Sequence, residues 1–374
     1  MTLLFESRDV PIYVNFLWRS REAALACPRG DITLAFCGDC GLIFNVAFEP
    51  SKLEYREGYE NSLHFSPVFQ AYAEKLADSL IERFALRDKT VVEIGCGGGE
   101  FLQMLCERGP NRGLGFDPSP RLEGEEAPSN RVELIHDYYS ERYVDRGGDF
   151  LCCRHTLEHI AHPGDLLEPI RRSIGDRVDL PVFFEVPNAM YMLENFFVWD
   201  IIYEHASYFT TPALKNAFSR SGFRVADVYE AFSGQYLCME AYASTAPVES
   251  AAVEGSLLGA VESFRTAYGG YYEMWKTKLR RLADAGKKVV LWGAGSKGVM
   301  FANCFDVSGL VERVVDVNPK KHGMFVAGSG QEIVPPSRLA ADPPDVAIVA
   351  NPVYLQEISE IVRAMGIQPD LIPL

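Results

Sequence analysis

Val91-Val92-Glu93-Ile94-Gly95-Cys96-Gly97-Gly98-Gly99-Glu100 is the stretch on which the fold turns. Thr90 to Ile94 reads as a short strand because β-branched residues dominate it, and about Gly99 to Arg108 reads as a helix. Between them the glycines strip the turn of side chains, so its backbone can approach a ligand closely and its amide groups can point at one. Outward from this turn, strand-like runs at Arg112 to Phe116, Arg131 to His136, Asp149 to Cys153 and Val182 to Val186 alternate with a helical stretch around Leu166 to Ile174. A helix from Pro67 to Phe84 leads in, with Phe69, Tyr72, Ala73, Leu76, Leu80 and Ile81 recurring at threes and fours. Strands alternating with helices of this length require crossovers. The sequence therefore predicts an α/β fold around a mostly parallel sheet, with ligands beyond the strand C-termini.

The rest of the chain divides around that block. Residues 1–66 read as a small N-terminal unit, 67–245 as the central domain, 246–285 as a linker and helix, and 286–374 as a smaller α/β domain. The last opens with Lys288-Val-Val-Leu-Trp-Gly293-Ala-Gly295-Ser296-Lys297-Gly298 and continues with strands at Val311 to Val315 and Val346 to Val349. With 36 basic against 51 acidic residues the net charge is -15, which repels phosphate backbones and anionic membranes. A small-molecule substrate is the expected partner, without nucleic acid or membrane. No apolar run reaches a membrane span and the N-terminus lacks the order of a secretory signal, so the expected location is the cytoplasm. Nine cysteines, an odd number with Cys152 and Cys153 adjacent in a strand-like run, point to reduced thiols rather than a disulfide framework.

Each glycine turn has an acid where a nucleotide would need one. After Gly97, Asp117 ends the next strand and can accept hydrogen bonds from both hydroxyls of a ribose, and Asp137 after the third strand can meet an adenine amino group. Gly293-Ala-Gly295-Ser296-Lys297-Gly298 fits the dinucleotide fingerprint, with Asp316 at the end of the following strand. It reads as a substrate-side anion site using Ser296 and Lys297, as a purely structural turn, or as an NAD site. Cys37-Gly-Asp-Cys40 with Cys27 invites a zinc reading, but a closed structural site needs four ligands and these three are the cysteines before residue 90. The alternative is a turn with two half-buried thiols.

Glu93, Gly95-x-Gly97-x-Gly99, Asp117 and His136-Asp137, continued by Arg154-His155-Thr-Leu-Glu158-His159-Ile160, resemble the class I S-adenosylmethionine-dependent methyltransferases. That resemblance implies a central Rossmann-like sheet that holds S-adenosylmethionine through Gly95, Gly97, Gly99, Asp117, Asp137 and His155, with Glu93 ordering the turn near the methionine part. Other stretches are Phe36-Cys37-Gly-Asp-Cys40-Gly-Leu42, Tyr59-Glu-Asn61-Ser-Leu-His64-Phe-Ser66, Glu204-His205 with Tyr208-Phe209, Leu291 to Gly298 and Val315 to Gly323. Together they resemble the three-domain C-methyltransferases that act on nucleotide-linked keto sugars in deoxysugar and antibiotic pathways. The resemblance implies a zinc-ribbon-like N-terminal unit and a C-terminal Rossmann-like domain, in a monomer or homodimer. This chain departs from the pattern in two places: Ser7 to Tyr13 carries no first CxxC, and Ile202 stands where the family tends to carry a Tyr.

The chemistry wants such a Glu-His pair for its own reason. A methyl sulfonium is already electrophilic, so the enzyme aligns the displacement and excludes water, but a carbon nucleophile must first lose a proton beside a carbonyl. A neutral imidazole can take it, which makes His205 the expected base. Glu204 is expected to fix its tautomer or bind substrate, Tyr59, Tyr208 and His155 to assist catalysis, and Tyr203, His64 and Asn61 to line the substrate pocket. Methylation of oxygen or nitrogen on another small metabolite, NAD-dependent oxidoreduction, and binding or regulation by an inactive methyltransferase fold are the competing functions.

Overall fold

The computed structural model describes residues 1–53, 58–119, 129–305, 307 and 309–374. The N-terminal part contains β1 (Thr2–Pro11), α1 (Arg21–Leu25), β2 (Arg29–Phe36) and β3 (Ile43–Asn45). The central part runs α2 (Pro67–Arg83), β4 (Thr90–Ile94), α3 (Glu100–Arg108), β5 (Arg112–Phe116), β6 (Val132–Ile135), β7 (Phe150–Arg154), α4 (Gly164–Ile174) and β8 (Pro181–Pro187). It continues through α5 (Ala189–Glu194), β9 (Ser207–Tyr208), α6 (Thr211–Arg220), β10 (Phe223–Ala231) and β11 (Tyr236–Ala243). After α7 (Gly255–Asp284) come β12 (Val289–Trp292), α8 (Ser296–Cys304), β13 (Val311–Val315), β14 (Glu332–Val334), β15 (Val346–Val349), α9 (Leu355–Ala364) and β16 (Asp370–Pro373).

These elements make three sheets. The central one is seven-stranded, in the order β10-β11-β8-β7-β4-β5-β6. Its inner strands are parallel, whereas β11 is antiparallel to both β8 and β10. The C-terminal sheet is five-stranded and parallel, in the order β14-β13-β12-β15-β16. In each, the strand preceding the glycine turn is central and has a partner on both sides. The order reverses there, and that leaves a crevice at its C-terminal end.

Local chemistry explains the entry into the cofactor-side turn. Ser66 caps α2 by accepting a hydrogen bond from the Phe69 amide at 3.3 Å, and Pro67 follows at the first helical position. The helix then buries Phe69, Ala73, Leu76, Ala77, Leu80 and Ile81 as one stripe. Val91, Val92, Glu93 and Ile94 are all buried, as a strand covered on both faces requires.

The N-terminal unit draws one of its strands from a distant part of the chain. It is a four-stranded antiparallel sheet, β1-β2-β3-β9, and its last strand comes from far along the chain: Ser207 and Tyr208 pair with Phe44 and Ile43. Residues 1–66 therefore do not complete their own sheet. The helix expected as part of a linker is also structural. Leu257, Val261, Phe264, Trp275 and Leu279 of α7 share one core with Phe5 and Ile32 of the N-terminal sheet, Trp199, and Leu291 and Phe301 of the C-terminal domain. Trp275 is 1% exposed and meets Phe301 edge-on, with ring centroids 5.2 Å apart. Trp275→Ala is expected to cost about 3–5 kcal/mol of stability. Urea unfolding followed by far-UV circular dichroism checks this, and an unchanged midpoint would contradict the role of α7 as a shared spine.

Candidate functional site

A cavity of about 820 Å³ lies where the three sheets meet. Of the residues singled out from the sequence, Tyr59, Asn61, His64, Glu93, Gly95, Gly97, Asp117, Asp137, His155, His205, Ser296 and Lys297 line it. The first glycine turn is held by its own backbone. Gly95 donates to the Phe116 carbonyl at 2.8 Å and Gly97 to Asp117 Oδ2 at 2.9 Å, while Asp117 Oδ1 accepts from Ser119 at 2.8 Å. A Cβ at Gly95 would sit 1.8 Å from Thr156 Oγ1, whereas one at Gly97, where φ is +53°, would meet nothing within 4 Å. The turn is thus packed tightly against the β7 end and bare on the cavity side.

S-adenosylmethionine fits this donor set. Glu93 is 2% exposed and its Oε2 has no hydrogen-bond partner among the described residues. Burial pushes its carboxyl up to about 8 against the pull of Arg154, so a bound cationic group would favour its ionised form. Asp117 keeps lone pairs for a ribose beyond the two amides it already accepts. Asp137 stands at the rim, where Arg142 at 2.8 Å and the Tyr143 hydroxyl at 2.6 Å hold it, and the Tyr143 contact depresses its pKa. Gly99 is off the cavity wall. It caps α3 in a left-handed conformation and faces Leu134, so its part in the site is conformational.

Beside the turn lies a buried ionic cluster. Glu185 accepts from Arg154 Nε at 3.1 Å and Nη2 at 2.8 Å and from the Tyr72 hydroxyl. His155 Nε2 stands 2.8 Å from the same carboxylate, outside hydrogen-bond angles, so that pairing is ionic. Burial would raise Glu185, but the Arg154 charge and His155 outweigh it and bring it to about 2. Burial would lower His155, but Glu158 and Glu185 outweigh it and bring it to about 9. His155 is therefore cationic at neutral pH and donates rather than accepts. Its φ of +49°, in a sparsely populated region, is strain of the kind that gathers at ligand sites.

The segment from Val198 to Phe209 carries the remaining imidazole. Its end is pinned to the N-terminal sheet by β9 and by the Asn45 amide donating to the Ala206 carbonyl at 3.0 Å. His205 reaches the cavity with its ring edge-on to His159, centroids 5.0 Å apart. Burial, then the cost of charging it beside the His159 ring and the positive charges of His155 and Lys297, hold its pKa well below 6.5, so the ring is neutral.

Its neighbours correct three expectations, because each has another task away from the cavity. The Tyr208 hydroxyl accepts from the Ile202 amide and donates to the Ile202 carbonyl, both at 3.0 Å, folding the loop back on itself. The Tyr203 ring packs against Gly30, where a Cβ would lie 2.4 Å away, and its hydroxyl accepts from the Glu49 amide at 3.1 Å. Glu204 is fully buried and accepts from the Val14 amide at 3.1 Å. Burial raises it to about 7 against the hydrogen bonds from Val14 and Tyr59. Ile202, the departure from the family pattern, does line the cavity and presents it an apolar wall.

The C-terminal domain closes the cavity with positive charge that the sequence reading largely passed over. Its turn repeats the first: Gly293 donates to the Val315 carbonyl at 2.7 Å, and Asp316 accepts from Ala294 at 2.7 Å and Asn318 at 2.8 Å. A Cβ at Gly295 would meet nothing within 4 Å. Lys297 pairs with Asp200 at 2.7 Å, and Lys320 pairs at 3.0 Å with Glu60, which also accepts from Asn318 at 3.1 Å. Lys321 lines the same wall. The signal for these lysines was present in the Val315 to Gly323 stretch, four and five residues past Asp316. Glu158 and His159, also on the wall, lie in the Arg154 to Ile160 stretch.

The structure does not bring the three candidate metal cysteines together. Among the described residues, Cys27, Cys37 and Cys40 form no group with ligand atoms within 4.8 Å of one another. Cys37 and Cys40 bracket the β2–β3 turn, with the Gly41 amide donating to the Cys37 carbonyl at 2.9 Å, while Cys27 is buried in the shared core.

Comparison with known proteins bears on both α/β domains. Residues 69–228 match a methyltransferase-domain family, and residues 257–368 match the C-methyltransferase C-terminal domain family. A tRNA U34 carboxymethyltransferase from Sulfurimonas denitrificans is 29% identical over 160 residues, which are 40% of this chain and 54% of that protein. A ubiquinone biosynthesis O-methyltransferase from Hahella chejuensis is 27% identical over 135 residues, 33% of this chain and 53% of that protein. The chain thus spans about half the length of the curated relatives it matches. Among solved structures, the 1,6-didemethyltoxoflavin-N1-methyltransferase of Burkholderia thailandensis is 17% identical with a TM-score of 0.36, covering 48% of this chain and 81% of that one. A likeness at that score carries nothing about substrate. On the two family matches, residues 69–228 are a methyltransferase domain and residues 257–368 a C-methyltransferase C-terminal domain.

Proposed function

We propose that this enzyme methylates carbon next to a ketone on a nucleotide-linked deoxysugar. One observation carries the reading: a neutral imidazole, the bare cofactor-side turn and three lysines share a single cavity. S-adenosylmethionine supplies an electrophilic methyl group when bound. Glu93, Gly97 and Asp117 are the residues that hold it, and the chain's remaining task is to make and shield a carbon nucleophile.

His205 removes the proton. Its depressed pKa guarantees the neutral form at pH 7 but makes it a weak base, so the developing enolate needs stabilisation. The anionic diphosphate lies along Lys297, Lys320, Lys321 and the bare turn at Gly295, at the N-terminus of α8. There it displaces Asp200 from Lys297, and its negative charge raises the basicity of His205 toward neutrality. Ile202 gives the sugar an apolar wall, which suits a ring that has lost a hydroxyl. A tRNA acceptor, as the names of some relatives would suggest, is disfavoured by the net charge of -15.

With a panel of nucleotide-linked keto sugars as substrates, His205→Ala is expected to lower kcat by about 100- to 10,000-fold. Calorimetry should find its affinity for S-adenosylmethionine unchanged, and full turnover by this variant would refute the base role. Lys297→Ala is expected to raise KM for the nucleotide-linked sugar by about 10- to 100-fold, the worth of a hydrogen bond to a charged group. An unchanged KM would place the diphosphate elsewhere. The acid limb of kcat/KM should fall below pH 6.5, because the free enzyme's imidazole must be neutral to act. The limb of kcat should lie at higher pH than that of kcat/KM, since bound substrate adds negative charge beside the ring; coincident limbs would contradict the placement of the diphosphate.

A further inference from the structure

We infer that Glu158, His159 and His205 form a site for a first-row divalent cation such as zinc, on the wall of the cavity. One ligand atom from each lies within 4.8 Å of the others, and among the described residues this is the one such group of three. Two imidazoles and a carboxylate are donors that these ions accept, at bond lengths of about 2.0–2.2 Å. Rotamer adjustments of roughly an ångström would close the group on an ion at those lengths.

Two independent observations point to an ion rather than to chance proximity. Glu158 is 2% exposed, Oε1 lies 3.8 Å from His155 Nδ1, and Oε2 has no hydrogen-bond partner among the described residues. A buried carboxylate oxygen without a donor is costly, and a cation is one way to satisfy it. His159 donates from Nδ1 to the Glu204 carbonyl at 2.9 Å, which sets the tautomer with its lone pair on Nε2. Metal-bound imidazoles are usually oriented by such an outer hydrogen bond. Three protein ligands leave coordination positions open, and all three residues line the cavity, so water or a substrate oxygen could complete the shell.

The ion and the proton compete for His205. A cation takes the same lone pair that would accept the substrate proton, so occupancy silences the base. The site itself does not rest on the function proposed above, but this inhibition does.

The test uses the full chain in a Cys37→Ser, Cys40→Ser background, treated with chelator and titrated with cobalt(II) while visible absorption is followed. Uptake of one cobalt per chain is expected, with no thiolate charge-transfer band, and Glu158→Gln and His159→Gln should each weaken it at least about tenfold. No spectral change at millimolar cobalt would overturn the site, as would affinity as tight as the parent's in both variants when their thermal melts match the parent. In turnover assays on the parent, zinc is expected to slow methyl transfer in step with occupancy and chelator to restore it. If zinc proves necessary for turnover, the site stands and the role of His205 as base falls.

Discussion

The buried carboxylate of Glu204 is the constraint from which the site takes its shape. It accepts from the Val14 amide of the N-terminal unit and from Tyr59, while the backbone carbonyl of the same residue accepts from His159 after β7. A buried amide left unpaired costs about 1–3 kcal/mol, so these bonds hold the loop in one arrangement. With Glu204 turned toward the N-terminal unit, the next side chain, His205, reaches the cavity. The pairing of Ser207 and Tyr208 with β3 holds the loop from the other side. Glu204 thus works as a clamp behind the imidazole rather than as its hydrogen-bonding partner.

The two α/β domains build their turns with one device. In each, an acid at the end of the second strand accepts an amide from the glycine turn and another two residues past itself: Asp117 from Gly97 and Ser119, Asp316 from Ala294 and Asn318. The turns differ in charge. Glu93 stands beside the first, whereas Lys297, Lys320 and Lys321 surround the second. The first suits a cationic cofactor and the second an anionic group, and the cavity between them is where the methyl donor and an acceptor can meet.

Much of this was legible in the sequence because it is local. Thr90–Ile94 and Arg112–Phe116 are apolar runs bounded by glycine or charge, and their strands begin and end where those patterns do. The bare turn at Gly97 and the acid at Asp117 follow from the same local grammar. What stayed hidden depends on distant pairing. Nothing near Ser207 signals that it will pair with Phe44, and that pairing, rather than the phenols around His205, sets the loop. Tyr203 and Tyr208 looked functional as side chains beside a histidine, but burial turned their hydroxyls to backbone partners. The spacing of Cys37 and Cys40 suggested a metal knuckle, yet Cys27 was committed to the core by its apolar surroundings. The role of α7 was also obscured, since between Phe264 and Trp275 its core-facing stripe is continued by the half-buried Tyr268, Tyr271 and Tyr272 rather than by aliphatic residues.

The central claim is that His205 takes a proton from carbon before any methyl moves. Incubating the enzyme with a nucleotide-linked keto sugar in deuterium oxide, without S-adenosylmethionine, tests it by magnetic resonance of the carbon beside the ketone. Deuterium should wash into that position with the native chain and not with His205→Ala. Exchange at an equal rate in both, or methylated product in the complete reaction without any exchange at that carbon, would contradict the account.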